Sequence, residues 1–241
     1  MLNNLFDRVK MLVGDNALKK LNNSAVAVFG VGGVGGYVIE ALARSGIGKI
    51  ALFDNDTIAQ SNINRQIIAN VNNIGKDKVL EAKNRILSIN PEIKVETFKV
   101  FYLPENANNF DLSKYDYVVD AVDTVSAKIE IIKRAKELGV PVISCMGTGG
   151  KTDITTLKVA DISKTHTCPL ARVMRRELSK RNIKNVKVVF STQESINFTI
   201  DKEINEQNGK SVPPSMIFVP AAAGLLLAKE VVFDLIDSII K

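Results

Sequence analysis

The amino-acid sequence predicts an α/β protein built on a doubly wound, largely parallel sheet, which antiparallel strands extend in the C-terminal half. Short uncharged runs rich in Val, Ile and Ala, typical of strands buried on both faces, alternate with longer amphipathic segments. A glycine-rich turn joins the first of these runs to a helix-like segment. The 241 residues, 46% hydrophobic and 24% charged, have an ordinary globular composition and can bury a sizeable core.

Composition also excludes several classes of protein. Cys145 and Cys168 are the only 2 cysteines, too few for a four-thiolate zinc site or a disulfide framework. Charges throughout the N-terminal residues argue against a signal peptide, and charged residues interrupt the most apolar stretch, residues 220–240, so no membrane span is expected. These features favour a cytoplasmic protein. The net charge of +6 is compatible with a polyanionic partner without requiring one.

The first strand leads into the most informative motif of the chain. Residues 6–21 predict one or two short helices, and residues 25–30 predict a buried strand. Gly30, Gly32 and Gly35 then form a GxGxxG pattern that also contains Gly33. The first glycine allows a tight turn, the second lets backbone amides approach a phosphate, and the third lets the helix pack on the strand.

An acidic residue follows the second predicted strand of this Rossmann-like unit. Asp54 follows the apolar run KIALF, about 20 residues beyond the glycine-rich turn. A carboxylate at this position can accept hydrogen bonds from ribose hydroxyls. This much of the sequence predicts a nucleotide site, and it fits a nicotinamide dinucleotide as well as ATP.

A polar segment beyond the acid distinguishes the two nucleotides. Residues 61–66 read Ser-Asn-Ile-Asn-Arg-Gln, an unusual density of amides for a dinucleotide-binding half. Arg65 can meet phosphate oxygens in bidentate fashion. Lys76 or Lys78, at the start of the next amphipathic helix, can add a phosphate or ribose contact. Together these side chains favour ATP.

Two further strands complete the predicted nucleotide half. Pro91 ends the helix, residues 93–100 alternate like a strand, and residues 115–122 predict a buried strand. Asp123 lies just past its carboxyl end, where ligands bind in doubly wound sheets. Its carboxylate can hold Mg²⁺ against ATP phosphates, or it can cap the following helix.

The rest of the chain continues the sheet and contains the main concentration of positive charge. Residues 140–144, 152–160, 186–191 and 216–220 predict strands, and a long helix closes the chain. Between them, residues 170–187 predict a helix that faces either solvent or nucleic acid. The segment lacks aromatic residues, so it would recognise the phosphates and the shape of a nucleic acid more than its bases. Its candidate nucleic-acid-binding residues are Arg172, Arg175, Arg176, Lys180 and Arg181.

The ordered set of motifs resembles the ubiquitin-activating-enzyme-like adenylyltransferases over most of the chain. That resemblance implies ATP and Mg²⁺ binding, attack of a carboxylate on the α-phosphate, and release of pyrophosphate. It assigns the ribose to Asp54, the phosphates to Asn64, Arg65 and Lys78, and the metal to Asp123. The complete set of implied nucleotide-binding residues is Gly30, Gly32, Gly33, Gly35, Asp54, Asn55, Asp56, Asn62, Asn64, Arg65, Gln66, Lys78 and Asp123.

The resemblance also implies a homodimer. Arg8 matches the N-terminal arginine that reaches into the partner subunit's ATP site in that superfamily, although alone it reads as a surface arginine. The implied catalytic residues are Arg8, Arg65, Lys78 and Asp123.

Within the superfamily, the second half is similar to the tRNA threonylcarbamoyladenosine dehydratases. The similarity lies in residues 146–149, 159–165, 168–171 and 188–191, and the chain lacks the paired CxxC motifs of sulfur-carrier adenylating enzymes. It implies ATP-dependent activation of the threonyl carboxylate of the modified tRNA adenosine, then cyclisation with net loss of water. We expect one domain, residues 1–241, with a nucleotide-binding half of about residues 1–150 and a substrate-facing half of about residues 151–241.

Three alternatives stay open at this point. The chain can be an adenylyltransferase for a ubiquitin-like sulfur-carrier protein, an NAD-dependent oxidoreductase resting on GxGxxG and Asp54 alone, or a non-catalytic nucleotide-sensing scaffold. A sulfur-transfer protein is retained as a candidate partner. Cys145, Cys168 and His166 are expected to be structural or loop residues, because cyclisation within the substrate needs no enzyme nucleophile.

Overall fold

Strands and helices alternate along most of the computed structural model, which describes residues 5–196, 206–207, 210–211 and 213–240. The N-terminal part contains α1 (Asp7–Val13), α2 (Asp15–Asn22), β1 (Ala25–Phe29), α3 (Gly35–Arg44), β2 (Lys49–Phe53), α4 (Lys78–Ile89), β3 (Lys94–Phe98), β4 (Tyr117–Asp120) and α5 (Val125–Glu137). The C-terminal part contains β5 (Val142–Cys145), β6 (Leu157–Asp161), α6 (Pro169–Lys180), β7 (Lys187–Ser191), β8 (Glu206–Gln207), β9 (Lys210–Ser211) and α7 (Phe218–Ile240).

The first seven strands form one sheet in the order β3-β2-β1-β4-β5-β7-β6. Neighbouring strands run parallel except for β6 and β7, which are antiparallel. The short strands β8 and β9 pair with each other in a separate antiparallel ladder. The predicted doubly wound, largely parallel sheet with an antiparallel extension in the C-terminal half is therefore confirmed.

Helices cover both faces of the sheet, which explains the uninterrupted apolar runs in its strands. In β1, Val26 and Val28 join a core cluster shared with α3, α4 and α7. Ala27 and Phe29 point the opposite way, into a cluster shared with α5 and α6. None of the helices in the described parts of the chain combines the length and the apolar character needed to cross a membrane.

The last predicted strand is wrong. Residues 216–220, MIFVP, lead into and begin α7, which starts at Phe218. A proline cannot donate to a strand ladder, but it costs little in the first helical turn, where the backbone N–H has no partner within the helix. Pro220 occupies that turn, so its presence in the apolar run signalled a helix start.

Two further predicted boundaries shift. The strand predicted over residues 152–160 begins only at Leu157, because Asp153 first caps a short 3-10 turn. The basic helix ends at Lys180, and Asn182 and Asn185 then adopt left-handed backbone conformations. The polar stretch predicted over residues 193–211 lies partly outside the described residues.

Candidate active site

The sheet reverses its strand order between β1 and β4, whose neighbours β2 and β5 lie on opposite sides. Ligands in open α/β sheets bind outside the carboxyl ends of the strands at such a switch point. Phe29 and Asp120 end the two strands and lie opposite each other in the register. The loops that follow them, residues 30–34 and 121–124, therefore meet at the predicted ligand edge.

The glycine turn, residues 30–36, is built around close backbone contacts. Gly30 has a φ of +86°, and a Cβ there would lie 2.7 Å from the Ala121 carbonyl oxygen. A Cβ on Gly35 would lie 1.8 Å from the Gly30 carbonyl oxygen, so the turn and helix could not pack as they do. At Gly32 a Cβ would meet only the Gln66 side chain, at 3.8 Å. The backbone at Gly32 therefore leaves room for a phosphate.

Asp54 ties the end of β2 to the glycine turn. Its Oδ2 accepts a hydrogen bond from the Val31 amide at 2.7 Å, and its Oδ1 accepts one from the Asp56 amide at 2.8 Å. Burial raises the pKa of the Asp54 carboxyl, while the positive charge of Lys78 and the two amides oppose that rise. The carboxylate is fixed in orientation and can accept further hydrogen bonds from a ribose.

The two candidate lysines at the start of α4 differ in their surroundings. Lys78 has only 6% of its side chain exposed and pairs with Asp56 at 2.7 Å, with its charge also acting on Asp54. Lys76 is 59% exposed and lies 4.0 Å from Glu81. Of these two lysines, the structure therefore brings Lys78 to the predicted ligand edge.

Arg65 and Asn64 form a hydrogen-bonded pair beside the glycine turn. The Arg65 Nη1 donates to the Ser61 carbonyl at 2.7 Å and to the Asn64 Oδ1 at 2.9 Å. The Arg65 stem borders Gly33, where a Cβ would lie 3.5 Å from the Arg65 Cγ. The guanidinium keeps several N–H donors that none of these bonds uses, so it can still bind a phosphate.

The remaining predicted residues in and before the polar segment fall into different environments. Asn62 is buried, and its Oδ1 accepts a hydrogen bond from the Ala59 amide at 3.0 Å, which shapes the local turn. Asn55 is exposed. Gln66 is buried beneath Gly32, and its Oε1 has no hydrogen-bond partner among the described residues. An orphaned acceptor at this position fits a site that is completed by a ligand.

Asp123 presents an exposed carboxylate in the loop between β4 and α5. The Thr124 hydroxyl donates to the Asp123 Oδ1 at 3.3 Å, and Thr124 rather than Asp123 holds the N-cap position of α5. Across the described residues, no group of three or more His, Cys, Asp or Glu side chains could hold a metal. A single carboxylate is nevertheless sufficient for Mg²⁺ that binds together with nucleotide phosphates.

Sequence reasoning missed a segment that closes this site from the C-terminal half. The Asn64 Nδ2 donates to the Ser215 carbonyl at 2.9 Å, just before α7. Next to it, the Pro214 carbonyl accepts a hydrogen bond from the Gly150 amide at 2.7 Å. Residues 213–215 therefore bridge the polar segment and the second glycine turn, residues 147–150. A separation of 151 residues gives no local sequence signal for this contact.

With this geometry in place, comparison with known proteins identifies the family. The model of the ThiF family matches residues 6–237. The chain belongs to the ThiF family. The resemblance predicted from the motifs is therefore confirmed.

Individual members of the ThiF family match nearly the whole chain. The chain is 44% identical over 242 residues to the tRNA threonylcarbamoyladenosine dehydratase of Bacillus subtilis, with 97% of this chain and 95% of the relative covered. Two solved structures of the Escherichia coli tRNA N6-threonylcarbamoyladenosine dehydratase, each 31% identical, cover 98% of this chain and 95% of theirs. The complex with AMP has a TM-score of 0.89, and the complex with ATP has one of 0.87.

The basic helix of this ThiF-family chain begins at the same edge of the sheet. Its N-cap residue Cys168 has its sulfur 3.6 Å from where a Cβ on Gly147 would lie. Arg172 is exposed, whereas Arg175 turns inward and its Nη1 donates to the Thr165 carbonyl at 2.6 Å. The remaining three predicted cations surround Glu177 and pair with it: Arg176, Lys180 and Arg181.

Other residues considered in the sequence are placed as follows. Arg8 is exposed on α1. Cys145 is buried, which raises the pKa of its thiol to about 12, and Cys168 is also buried. His166 is exposed, with its ring against the edge of Phe190. These environments support structural or loop roles for both cysteines and for the histidine of this ThiF-family chain.

Proposed function

We propose that the chain is an ATP-dependent tRNA-modifying dehydratase. It activates the threonyl carboxylate of threonylcarbamoyladenosine in tRNA, and the activated group then cyclises with net loss of water. The observation that carries this proposal is the placement of two cations at the glycine turn. The Arg65 stem borders Gly33. The charge of Lys78 acts on Asp54, whose carboxylate accepts a hydrogen bond from the Val31 amide. This placement occurs in a chain that is 44% identical to a dehydratase of that name.

Each residue of the site has a role in the proposed adenylation. Asp54 holds the ribose, and the backbone of the glycine turn cradles the phosphates. Arg65 and Lys78, with Asn64, bind the phosphates and stabilise the charge that develops during attack on the α-phosphorus. Asp123 holds Mg²⁺, which supplies charge neutralisation when bound together with ATP.

The chemistry explains why no nucleophilic side chain is needed. A carboxylate acylates poorly because it would have to expel oxide, and joining it to AMP supplies a good leaving group. The nucleophile that closes the ring belongs to the substrate, so the enzyme mainly has to position the two reacting groups. The Cys145 thiol is buried and its pKa is raised, so it is poorly suited to act as a nucleophile, in agreement with this mechanism.

The exchange of labelled pyrophosphate into ATP tests this proposal. We expect tRNA that carries threonylcarbamoyladenosine to stimulate exchange, and we expect unmodified tRNA to leave it unchanged. Stimulation by a small acidic carrier protein would favour the sulfur-carrier alternative instead. Tight NAD binding without ATP binding would favour an oxidoreductase, and ATP binding without any turnover would favour a sensing scaffold.

The proposed tRNA surface centres on the exposed cations of α6. Arg172 and Arg176 lie on the helix that begins beside the second glycine turn, so phosphates bound to them would lie close to the ligand edge. Lys180 and Arg181 extend the same basic surface. Arg175 stays a predicted contact, although its guanidinium is engaged with Thr165.

Arg172→Ala combined with Arg176→Ala is expected to lower the affinity for tRNA. It is also expected to make that affinity less dependent on salt concentration. Each lost phosphate contact should reduce the slope of log affinity against log salt by roughly one. Filter binding over a salt series measures both quantities. The matched control, Lys19→Ala with Lys94→Ala, removes exposed cations elsewhere on the chain. An equal loss in both double variants would show that only net charge matters.

We also propose that the protein functions as a homodimer. Helix α1 buries no residue, and Met11 and Leu12 on it are 86% and 81% exposed. Apolar side chains exposed to this degree beside Arg8 support burial against a second copy, into whose ATP site Arg8 would reach. The proposed unit comprises residues 1–241, with the nucleotide half before residue 150, and it works in the cytoplasm. A sulfur-transfer protein stays a predicted partner without an assigned surface.

Met11→Asp combined with Leu12→Asp is expected to dissociate the dimer, because two carboxylates cannot be buried unpaired. Light scattering at micromolar protein should then report half of the wild-type mass. Ile154→Asp is the control, since Ile154 is 50% exposed in a different part of the chain. A wild-type protein that is already monomeric would contradict the dimer.

A further inference from the structure

A buried ion pair lies directly behind the ligand edge. Lys128 on α5 and Asp120 at the end of β4 are both fully buried, and the Lys128 Nζ lies 2.9 Å from the Asp120 Oδ2. The Ser144 hydroxyl on β5 donates to the same carboxylate oxygen at 2.6 Å. Neither charged residue belongs to the proposed ATP contacts, so the pair needs an explanation of its own.

The ammonium of Lys128 also holds two loops of the site. It donates to the Val122 carbonyl at 3.1 Å and to the Cys145 carbonyl at 2.7 Å, so all three of its donors are used. Val122 precedes Asp123, and its amide in turn donates to the Asp120 Oδ1 at 3.2 Å. Cys145 ends β5 and leads toward the second glycine turn. The Lys128–Asp120 pair therefore holds the start of the loop after β4 and the start of the loop after β5.

Stability alone is a weak reason for such an arrangement. Taking two charges out of water is costly, and apolar side chains of similar volume often replace a buried ion pair without loss of stability. An ammonium that reaches three oxygens on two strands and a loop does what an apolar side chain cannot. It fixes the distance between the backbone at Val122 and the backbone at Cys145. The β4–β5 pairing ends at Asp120 and Ser144, so it does not itself join these two residues.

We propose that Lys128 is a positioning residue that preorganises Asp123 for Mg²⁺ bound with ATP. The inference rests on the proposed role of Asp123 and adds the residue that holds it in place. By binding both backbone groups of Val122, the Lys128–Asp120 pair restricts the loop that presents the carboxylate. Through Cys145 the same ammonium links that loop to the second glycine turn, which in turn holds Pro214.

The decisive variant is Asp120→Asn with Lys128→Met. It removes both charges, and the new amide can still pair with Val122 and Ser144, whereas Lys128→Met alone would leave a buried carboxylate uncompensated and is expected to lose the fold. Mn²⁺ binding is measured by electron paramagnetic resonance in the presence of a non-hydrolysable ATP analogue. We expect Mn²⁺ affinity to fall roughly tenfold, as is typical when a residue that orients a metal ligand is removed. Affinity for the analogue without metal should change less than about twofold.

Two controls separate positioning from general loosening of the cluster. Ser144→Ala removes a buried hydrogen bond to Asp120 but keeps both carbonyl contacts of Lys128, and Lys133→Met removes a 42% exposed lysine from the same helix. Both should keep Mn²⁺ affinity within about twofold. Thermal melting shows that each variant is folded.

The outcomes distinguish this inference from the proposed function on which it rests. A folded double variant with wild-type Mn²⁺ affinity would overturn the positioning role of Lys128. An equal loss in Ser144→Ala would do the same, since it would reflect loosening of the cluster. If Asp123→Ala left Mn²⁺ binding unchanged in the otherwise native protein, the metal assignment itself would fail.

Discussion

Arg65→Ala is expected to lower the rate of pyrophosphate exchange roughly 100- to 1000-fold, the usual effect of removing one donor that stabilises developing charge. The fold should survive, because the hydrogen bonds of the guanidinium go to Ser61 and Asn64, both within four residues. Within the described part of the chain, the change leaves no buried acidic partner unpaired. Exchange kinetics with saturating substrate tRNA, together with thermal melting, measure both effects.

A matched control is available on a neighbouring helix. Arg44→Ala also removes an arginine, 56% exposed, whose partner Glu40 keeps its ion pair with Arg85. Exchange by this variant should stay within about twofold of wild type, as expected for an exposed side chain away from the site. Persistent activity of Arg65→Ala on tRNA would show that the phosphate site has been assigned to the wrong residues.

Asp123→Asn is expected to lower exchange by roughly 100-fold or more, since metal stabilisation of the transferring group contributes several kcal/mol. The amide keeps the shape of the side chain and can still accept the hydrogen bond from Thr124. Only the anionic oxygen that would bind Mg²⁺ is lost, so the melting temperature should barely change. Exchange rates are measured over a series of Mg²⁺ concentrations.

Asp111→Asn provides the control for removal of one negative charge. Asp111 is exposed and bonds only within its own loop, to Ser113. The control should therefore show the wild-type rate and the wild-type dependence on Mg²⁺. If Asp123→Asn behaved in the same way as this control, Asp123 would not be a metal ligand.

The fold could be predicted because its strands and helices each leave a pattern in a short stretch of sequence. Strands buried on both faces give continuous apolar runs, and helices covering a sheet give amphipathic segments. The prediction failed at residues 216–220, where a short apolar run looks the same in a strand as at the start of a helix. Only the position of Pro220 relative to the first helical turn distinguishes the two.

The candidate site could be predicted from the sequence where its residues follow one another along the chain. The glycine turn, Asp54 and the polar segment all lie between Gly30 and Gln66. The bond from Asn64 to Ser215 was not predictable, because it joins distant parts of the sequence. The signal for Lys128 was present, since it precedes Ile131 and Ile132 in the buried stripe of α5. A charged residue in such a stripe indicates a buried partner.

The most direct test of the central claim is mass spectrometry of tRNA nucleosides. Transfer RNA that contains threonylcarbamoyladenosine is incubated with the protein, ATP and Mg²⁺, then digested gently to nucleosides. We expect this nucleoside to lose the mass of one water only when ATP is present, and we expect AMP and pyrophosphate to accumulate. An unchanged nucleoside mass with a folded, ATP-binding protein would contradict the proposed dehydratase activity.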